Sequence, residues 1–143
     1  MKIIKGDISI DDRGSVSFIN EFNFDNIKRA YIVENYNQGF IRAWHGHKNE
    51  EKYVQVISGS ALIAGVKIDN WDKPSLDLEV HKFVLSEFKP SILYIPRGYA
   101  NGFKTLSVGS KLIFYSTSTL EDSINDDFRF KFDLWNPWDV EYR

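Results

Sequence analysis

Short apolar segments alternate with turn-forming residues along most of the chain, and this pattern predicts an all-β protein. Segments rich in β-branched and aromatic residues occupy positions 31–33, 53–57, 61–66, 83–85, 92–95 and 112–115. Turn formers separate them at positions 11–14, 58–60, 72–75, 96–98 and 108–110. No stretch of ten or more residues keeps a helical period, and 120–127 is predicted to be a loop or a single helical turn. Many short strands with regular turns indicate a sandwich or barrel, and a jelly roll is one such form.

The composition narrows the classes of function. With 143 residues, 43% of them hydrophobic, the chain has the size of a single domain, which we place over residues 1–143. The formal net charge is -2 and no basic block occurs, so neither nucleic acid nor a membrane is predicted as a partner. Cysteine is absent, which excludes thiolate catalysis. No segment is typical of a signal peptide or a membrane helix, and we therefore expect a soluble cytoplasmic protein.

A pair of histidines gives the first indication of chemistry. His45, His47 and Glu51 have the His-x-His-x3-Glu spacing of the first motif of metal-binding cupins. Residues two apart on a strand point to the same face, so both imidazoles are predicted to enter the mouth of a barrel. Glu51 could return as a carboxylate ligand on the next strand.

The second motif weakens the prediction of a metal. After Pro96-Arg97-Gly98 this chain has Asn101 where a metal cupin has histidine, and an amide is a poor ligand for first-row metals. The remaining histidine, His81, is predicted to lie on a surface strand. A site made of His45, His47, Glu51 and Asn101 stays possible, but the pattern favours proton chemistry without a metal or cofactor.

Several further motifs resemble the dTDP-4-dehydrorhamnose 3,5-epimerase family. In the order of that family, over roughly residues 11 to 117, they are Asp12-Arg13-Gly14, Arg42-x-x-His45, Lys52-x-Val54, Val66-x-Ile68-Asp69, Pro74-Ser75, Leu85-Ser86, Ile95-Pro96-x-Gly98-Tyr99-Ala100-Asn101-Gly102-Phe103 and Tyr115-x-Thr117. The resemblance implies a cupin jelly roll, a homodimer without metal, and a nucleotide-diphospho-sugar substrate. The implied role is in deoxysugar or surface-polysaccharide biosynthesis.

A second resemblance leaves the exact reaction open. The stretch from Arg42 to Lys48 is similar to the Arg-Gly-x-His-Ala-His-Lys motif of the dTDP-4-keto-6-deoxyglucose 3,4-ketoisomerases, and most 3,5-epimerases lack the second histidine. Three hypotheses follow: a 3,5-epimerase, a 3,4-ketoisomerase, and a sugar-binding cupin without catalysis. The nucleotide also stays open, because GDP-, UDP- and CDP-linked sugars are handled by similar scaffolds.

Both enzyme hypotheses imply proton transfer beside a ketone at C4 of the sugar. His45 is the predicted base, because neutral imidazole accepts a proton near pH 7. Lys52 is predicted to hold the enolate oxygen. Tyr115 matches the family's proton donor on the opposite ring face, although ordinary core packing is the alternative for this residue. In a ketoisomerase His47 would take the donor's role.

Four residues are predicted to bind the substrate. Arg42 is the preferred partner of the diphosphate, because guanidinium matches phosphate oxygens in a bidentate manner. Arg13, supplied by a neighbouring subunit, is a second candidate. The amide of Asn101 is predicted to bind a sugar hydroxyl, and Asp69 either orients a histidine or ends a strand. The epimerases take a histidine-supporting aspartate from a C-terminal segment that we do not expect in this chain, so we expect another carboxylate to orient His45.

Overall fold

The computed structural model describes residues 1–141 and residue 143, and most of the chain lies in antiparallel strands. The strands are β1 (Lys2–Lys5), β2 (Asp7–Asp11), β3 (Gly14–Phe18), β4 (Arg29–Glu34), β5 (Ile41–His47), β6 (Lys52–Ser58), β7 (Ser60–Lys67), β8 (Val80–Ser86), β9 (Ser91–Ile95), β10 (Tyr99–Thr105), β11 (Lys111–Ser116) and β12 (Phe128–Arg129). A short helix, α1 (Leu120–Asn125), precedes β12. The predicted all-β class is confirmed.

Two five-stranded sheets form the jelly roll. The first sheet has the order β1-β9-β6-β11-β4, and the second has the order β12-β5-β10-β7-β8. Strands β2 and β3 pair only with each other and form a separate hairpin. Within the described residues no helix is long and apolar enough to cross a bilayer.

Alternation along the strands builds the core between the sheets. In β6 the side chains of Lys52, Val54 and Val56 are buried, whereas the intervening residues are more exposed. The two inner faces meet in a cluster that consists of Val54, Val56, Ala61, Ile63, Leu85, Leu93, Ile95, Phe103, Leu112 and Phe114. This cluster closes one end of the barrel and leaves polar inward-facing residues at the other end.

The C-terminal tail covers the outer face of the second sheet. Trp135 and Trp138 are almost fully buried and pack against Trp44, with ring centroids 5.5 and 5.1 Å from it. The indole N–H groups of Trp44 and Trp138 both donate to the carbonyl of Phe132. This second apolar layer holds the central strands β5 and β10 from behind.

All six segments predicted as strands lie within β4, β6, β7, β8, β9 and β11, and the predicted helical turn is α1. The apolar pattern does not predict β10, which lies between β5 and β7. This strand uses small and polar residues because its neighbour is very close: a Cβ atom on Gly102 would lie 2.4 Å from the Cβ of Ala43.

Candidate active site

A pocket of about 310 Å³ lies at the polar end of the barrel, between the two sheets. Both sheets, α1 and the segment that follows it contribute to its wall. The lining residues are Arg29, Tyr31, Val33, Arg42, His45, His47, Lys52, Asn101, Phe103, Phe114, Leu120, Ser123, Ile124, Asp127 and Arg129. Five of the eight predicted site residues, His45, His47, Lys52, Arg42 and Asn101, therefore meet in one place.

The first sheet supplies two inward-facing rows of side chains. In the outer row, Ser116 on β11 pairs with Lys52 on β6 and with Arg29 on β4. One row deeper, Phe114 pairs with Val54 and with Tyr31. The outer row is polar and carries charge, whereas the inner row is apolar except for the Tyr31 hydroxyl.

The second sheet supplies the facing wall from β5 and β10. Residue Asn101 pairs with His45, and a register shift follows before Phe103 pairs with Arg42. The Asn101 amide donates to the His45 carbonyl at 3.0 Å, which ties the two strands together at the bulge. The Arg42 guanidinium is held in turn, because its Nε donates to the Asn35 side chain at 2.8 Å.

Hydrogen bonds fix the tautomer of His47. Its Nδ1 lies 2.7 Å from the carbonyl oxygen of Asp126 and 3.1 Å from Oε2 of Glu50, and both atoms only accept. Nδ1 therefore carries the proton. Nε2 lies 2.9 Å from Nζ of Lys52, which only donates, so Nε2 accepts. Burial and the Lys52 charge lower the pKa of His47. The ring is a neutral acceptor that orients Lys52.

Glu50 is the buried counter-charge of this cluster. Its Oε1 accepts from Ser116 at 2.5 Å and from Arg29 at 3.2 Å, and its Oε2 accepts from Ser123 at 2.8 Å. Burial alone would raise the pKa of Glu50, but Lys52 and the hydrogen bonds hold it below the usual value. The carboxylate is therefore ionised beside Lys52. Burial lowers the pKa of Lys52, and the negative charge of Glu50 opposes that change.

The turn after β5 is held by Asp126, which directly follows α1. Its carboxylate accepts the backbone N–H groups of Lys48, Asn49 and Glu50 at 2.8, 2.8 and 3.2 Å. The carbonyl of the same residue accepts from His47. One residue thereby positions both the histidine and the turn that carries Glu50.

His45 has a different environment from His47. Its Nε2 lies 3.5 Å from Nη1 of Arg129, which pairs with it across β5 and β12. Burial, then the charges of Arg129 and Lys52, lower the pKa of His45 to about 4. The Nε of Arg129 is held by both carboxylate oxygens of Asp127 at 2.8 Å. At neutral pH the His45 imidazole is uncharged and lies open to the pocket.

Three predicted site residues lie outside the pocket. Tyr115 points to the outer face of β11, because Phe114 and Ser116 on either side of it point inward, and it packs on Phe22 and Phe24. The predicted placement of Tyr115 in the site is therefore wrong for this chain.

Arg13 and Asp69 are also remote. Arg13 lies at the exposed turn between β2 and β3 and pairs with Asp11. Asp69 lies two residues after the end of β7 and accepts from the backbone N–H and the hydroxyl of Ser75, so it orients a turn and not a histidine. His81 lies on β8, as predicted, and outside the pocket.

The three residues of the metal motif are not brought together. Glu51 turns toward Arg97, whose Nε donates to it at 3.1 Å, while the neighbouring Glu50 approaches His47. Both ring nitrogens of His47 already have protein partners, one of them a cation. Within the described residues no group of three or more histidine, aspartate or glutamate side chains is arranged to hold a metal ion.

Sequence reasoning missed six residues of this site. They are Arg29, Tyr31, Glu50, Asp126, Asp127 and Arg129. Two signals were present. An arginine and a tyrosine alternate with apolar residues on β4, and residues 126–129, at the end of the predicted turn, include both acidic and basic side chains. Neither signal shows which strand faces the histidines.

The family model described as dTDP-4-dehydrorhamnose 3,5-epimerase matches residues 1–131. The chain belongs to this family. One curated relative, the probable low-salt glycan biosynthesis epimerase Agl13 of Haloferax volcanii, is 25% identical over 130 residues, which cover 88% of this chain and 83% of that protein.

Solved structures agree on the fold of this family member. A dTDP-4-dehydrorhamnose 3,5-epimerase from Bacillus anthracis with TDP and PPi bound matches with a TM-score of 0.78 at 21% identity, covering 98% of this chain and 85% of that one. The WlaRB TDP-quinovose 3,4-ketoisomerase from Campylobacter jejuni matches with a TM-score of 0.67 at 24% identity, covering 93% and 95%. The cupin jelly roll is thus shared by a protein named as a 3,5-epimerase and by a protein named as a 3,4-ketoisomerase.

Proposed function

We propose that this protein is a nucleotide-sugar isomerase that removes a proton beside the C4 ketone of a nucleotide-linked 4-keto-6-deoxyhexose, by the route of a 3,5-epimerase. One observation carries the proposal: a neutral His45 on the second sheet and a buried Lys52 on the first sheet line the same pocket from its two sides. Such a pair offers a base for the C–H bond and a cation for the oxygen that becomes negative.

The chemistry assigns each group a separate task. His45 accepts the proton from the carbon next to the ketone, and the electron pair of that C–H bond delocalises onto the C4 oxygen. Lys52 donates to this oxygen, and a fixed donor in a water-poor pocket stabilises the developing charge strongly. His47 does not act as a base in this scheme, because Lys52 occupies its only lone pair.

The charge of the pocket supports an anionic substrate. Arg29, Arg42 and Arg129 line it together with Lys52, against Asp127. Guanidinium groups bind diphosphate oxygens in a bidentate manner. The proposed diphosphate partners are Arg42 on β5 and Arg129 on the neighbouring strand β12. The family's description and the TDP bound by the Bacillus anthracis protein favour thymidine as the nucleoside.

A 3,4-ketoisomerase is the second candidate. The His-x-His motif and the likeness to WlaRB favour it. In that reaction the same base would move a proton between C3 and C4 on one ring face, and no donor on the opposite face would be needed.

The experiment is incubation with dTDP-4-keto-6-deoxyglucose in D₂O, followed by NMR of the sugar. An epimerase introduces deuterium at C3 and C5 with inverted configuration, whereas a ketoisomerase moves the carbonyl to C3. We expect His45→Ala to abolish either change, and His81→Ala, a histidine outside the pocket, to retain it. If the protein binds the nucleotide sugar but gives neither deuterium exchange nor product, both enzyme candidates are contradicted. The hypothesis of a sugar-binding cupin without catalysis would then remain.

We also propose that the protein is a homodimer. The outer face of the first sheet carries the rings of Tyr53, Tyr94 and Tyr115, and Ile32 on β4 is 59% exposed. An apolar face of this kind is typical of an interface between subunits. Sedimentation of the wild type as a dimer and of Ile32→Glu as a monomer is the expected result, and a monomeric wild type would contradict the proposal.

A further inference from the structure

The pocket contains a tyrosine that the sequence analysis did not connect with catalysis. Tyr31 lies in the inner row of the first sheet, where its ring stacks on Phe114 with 5.2 Å between centroids and an interplanar angle of 5°. Phe114 thus occupies the inward position of β11 next to Tyr115, and Tyr31 extends from the adjacent strand over it. The guanidinium of Arg29 lies 4.9 Å from the centroid of the Tyr31 ring.

We infer that Tyr31 is the proton donor on the ring face opposite His45. This inference rests on the proposed epimerase function and deepens it. The two residues enter the pocket from facing sheets, Tyr31 from β4 and His45 from β5, so a sugar ring bound between the sheets has one group on each side. Inversion at a carbon requires this arrangement, because the proton must leave from one face and return to the other.

The Tyr31 hydroxyl is suited to donation. Burial and the Glu50 charge raise the pKa of Tyr31 to about 12, so the phenol is protonated at neutral pH. Only burial and nearby charges contribute to that shift; among the described residues no hydrogen bond contributes. The proton is therefore available to a ligand, and the neighbouring Arg29 offsets the phenolate charge that forms on transfer.

The step balances without a cofactor. The C–H bond breaks toward His45, and its electron pair enters the enolate that Lys52 holds at the C4 oxygen. The enolate carbon then takes the proton of Tyr31, which forms the new C–H bond and leaves a phenolate. Water returns a proton to the phenolate and removes the proton from His45, so the net change is exchange of one hydrogen with solvent and inversion at carbon.

Tyr31→Phe tests the inference, because it keeps the stacking on Phe114 and removes only the hydroxyl. With dTDP-4-keto-6-deoxyglucose in D₂O, we expect the inverted product to form about 10²–10⁴-fold more slowly. Deuterium exchange with retained configuration should persist, since His45 can still remove and return a proton on its own face. Tyr115→Phe is the matched control and should keep the wild-type rate of inversion.

The outcomes separate this inference from the proposed function. Inversion at the wild-type rate in Tyr31→Phe would overturn the assignment of the donor while the epimerase function stands. Equal losses of exchange and inversion in that variant would also overturn it, because Tyr31 would then act in binding or folding. A wild type that moves the keto group to C3 without inversion would overturn it too, and would replace the epimerase by the ketoisomerase.

Discussion

Replacement of Glu50 by glutamine would remove a charge from the interior while the shape of the side chain stays nearly the same. The carboxylate is fully buried and accepts from Ser116, Arg29 and Ser123, and its Oε2 lies 3.1 Å from Nδ1 of His47. Serine hydroxyls can turn to accept from the new amide, but the Arg29 guanidinium and the His47 Nδ1–H cannot. Either orientation of the amide therefore leaves two donors facing each other, and Lys52 loses the negative charge that most favours its protonated form.

The cost follows from the burial of the group. Loss of one partner of a buried ion pair costs about 3–5 kcal/mol, of which a hydrogen bond to a charged group accounts for about 1.5–3 kcal/mol. Because glutamine still makes part of these hydrogen bonds, we place the loss for Glu50→Gln at about 3 kcal/mol. For a chain of this length that loss lowers Tm by about 10 °C.

Glu51→Gln is the matched control. Glu51 is the next residue, but it pairs with Arg97, whose side chain is 67% exposed. An exposed ion pair contributes about 0–1 kcal/mol, so the control should lose at most a few degrees. Thermal melts by circular dichroism at pH 7, with urea unfolding as a second measure, compare the two variants. Equal Tm values for the two variants would refute the claim that the charge of Glu50 stabilises the folded protein.

The pH dependence adds a second test of the same group. The folded-state pKa of Glu50 is lower than its unfolded value, so its stabilisation is complete above the unfolded pKa near 4.5 and is lost as pH falls through the folded pKa. The difference in stability between wild type and Glu50→Gln should therefore shrink below pH 4.5. A constant difference down to pH 3 would contradict this linkage.

Three further predictions concern activity and stability. Because the pKa of His45 is about 4, kcat/KM measured as a function of pH should fall on the acid side with its midpoint near pH 4. A midpoint near pH 6.5 would contradict the lowering of this pKa by burial and Arg129. Lys52→Met should lower kcat by about 10²–10³-fold with KM changed little, as the loss of an oxyanion donor does, whereas unchanged kcat would remove Lys52 from the scheme. Trp138→Ala should cost about 3–5 kcal/mol in urea unfolding, because the ring is 1% exposed, and Val140→Ala should cost little.

The limits of sequence reasoning are visible in particular strands. Apolar alternation was sufficient for β6 and β11, because their inward residues are hydrophobic over most of their length. It was not sufficient for β10, where close backbone approach to Ala43 selects glycine and alanine and removes the apolar signal. The face of Tyr115 was missed for a related reason: Phe114 and Tyr115 are adjacent aromatic residues near the end of β11, and only the register of the sheet decides which one points inward.

The two histidines of β5 show why motif spacing alone could not assign their roles. Both face the barrel, yet the residues that distinguish them come from a segment about 80 positions away, 126–129. The Asp126 carbonyl fixes the proton of His47 on Nδ1 and thereby directs its lone pair to Lys52, whereas Arg129 faces Nε2 of His45, where burial and the arginine charge keep that ring neutral. An anionic substrate beside Arg129 would offset the arginine charge and raise the basicity of His45 upon binding. The same segment therefore makes one imidazole a fixed support for the oxyanion donor and makes the other a base that substrate binding strengthens.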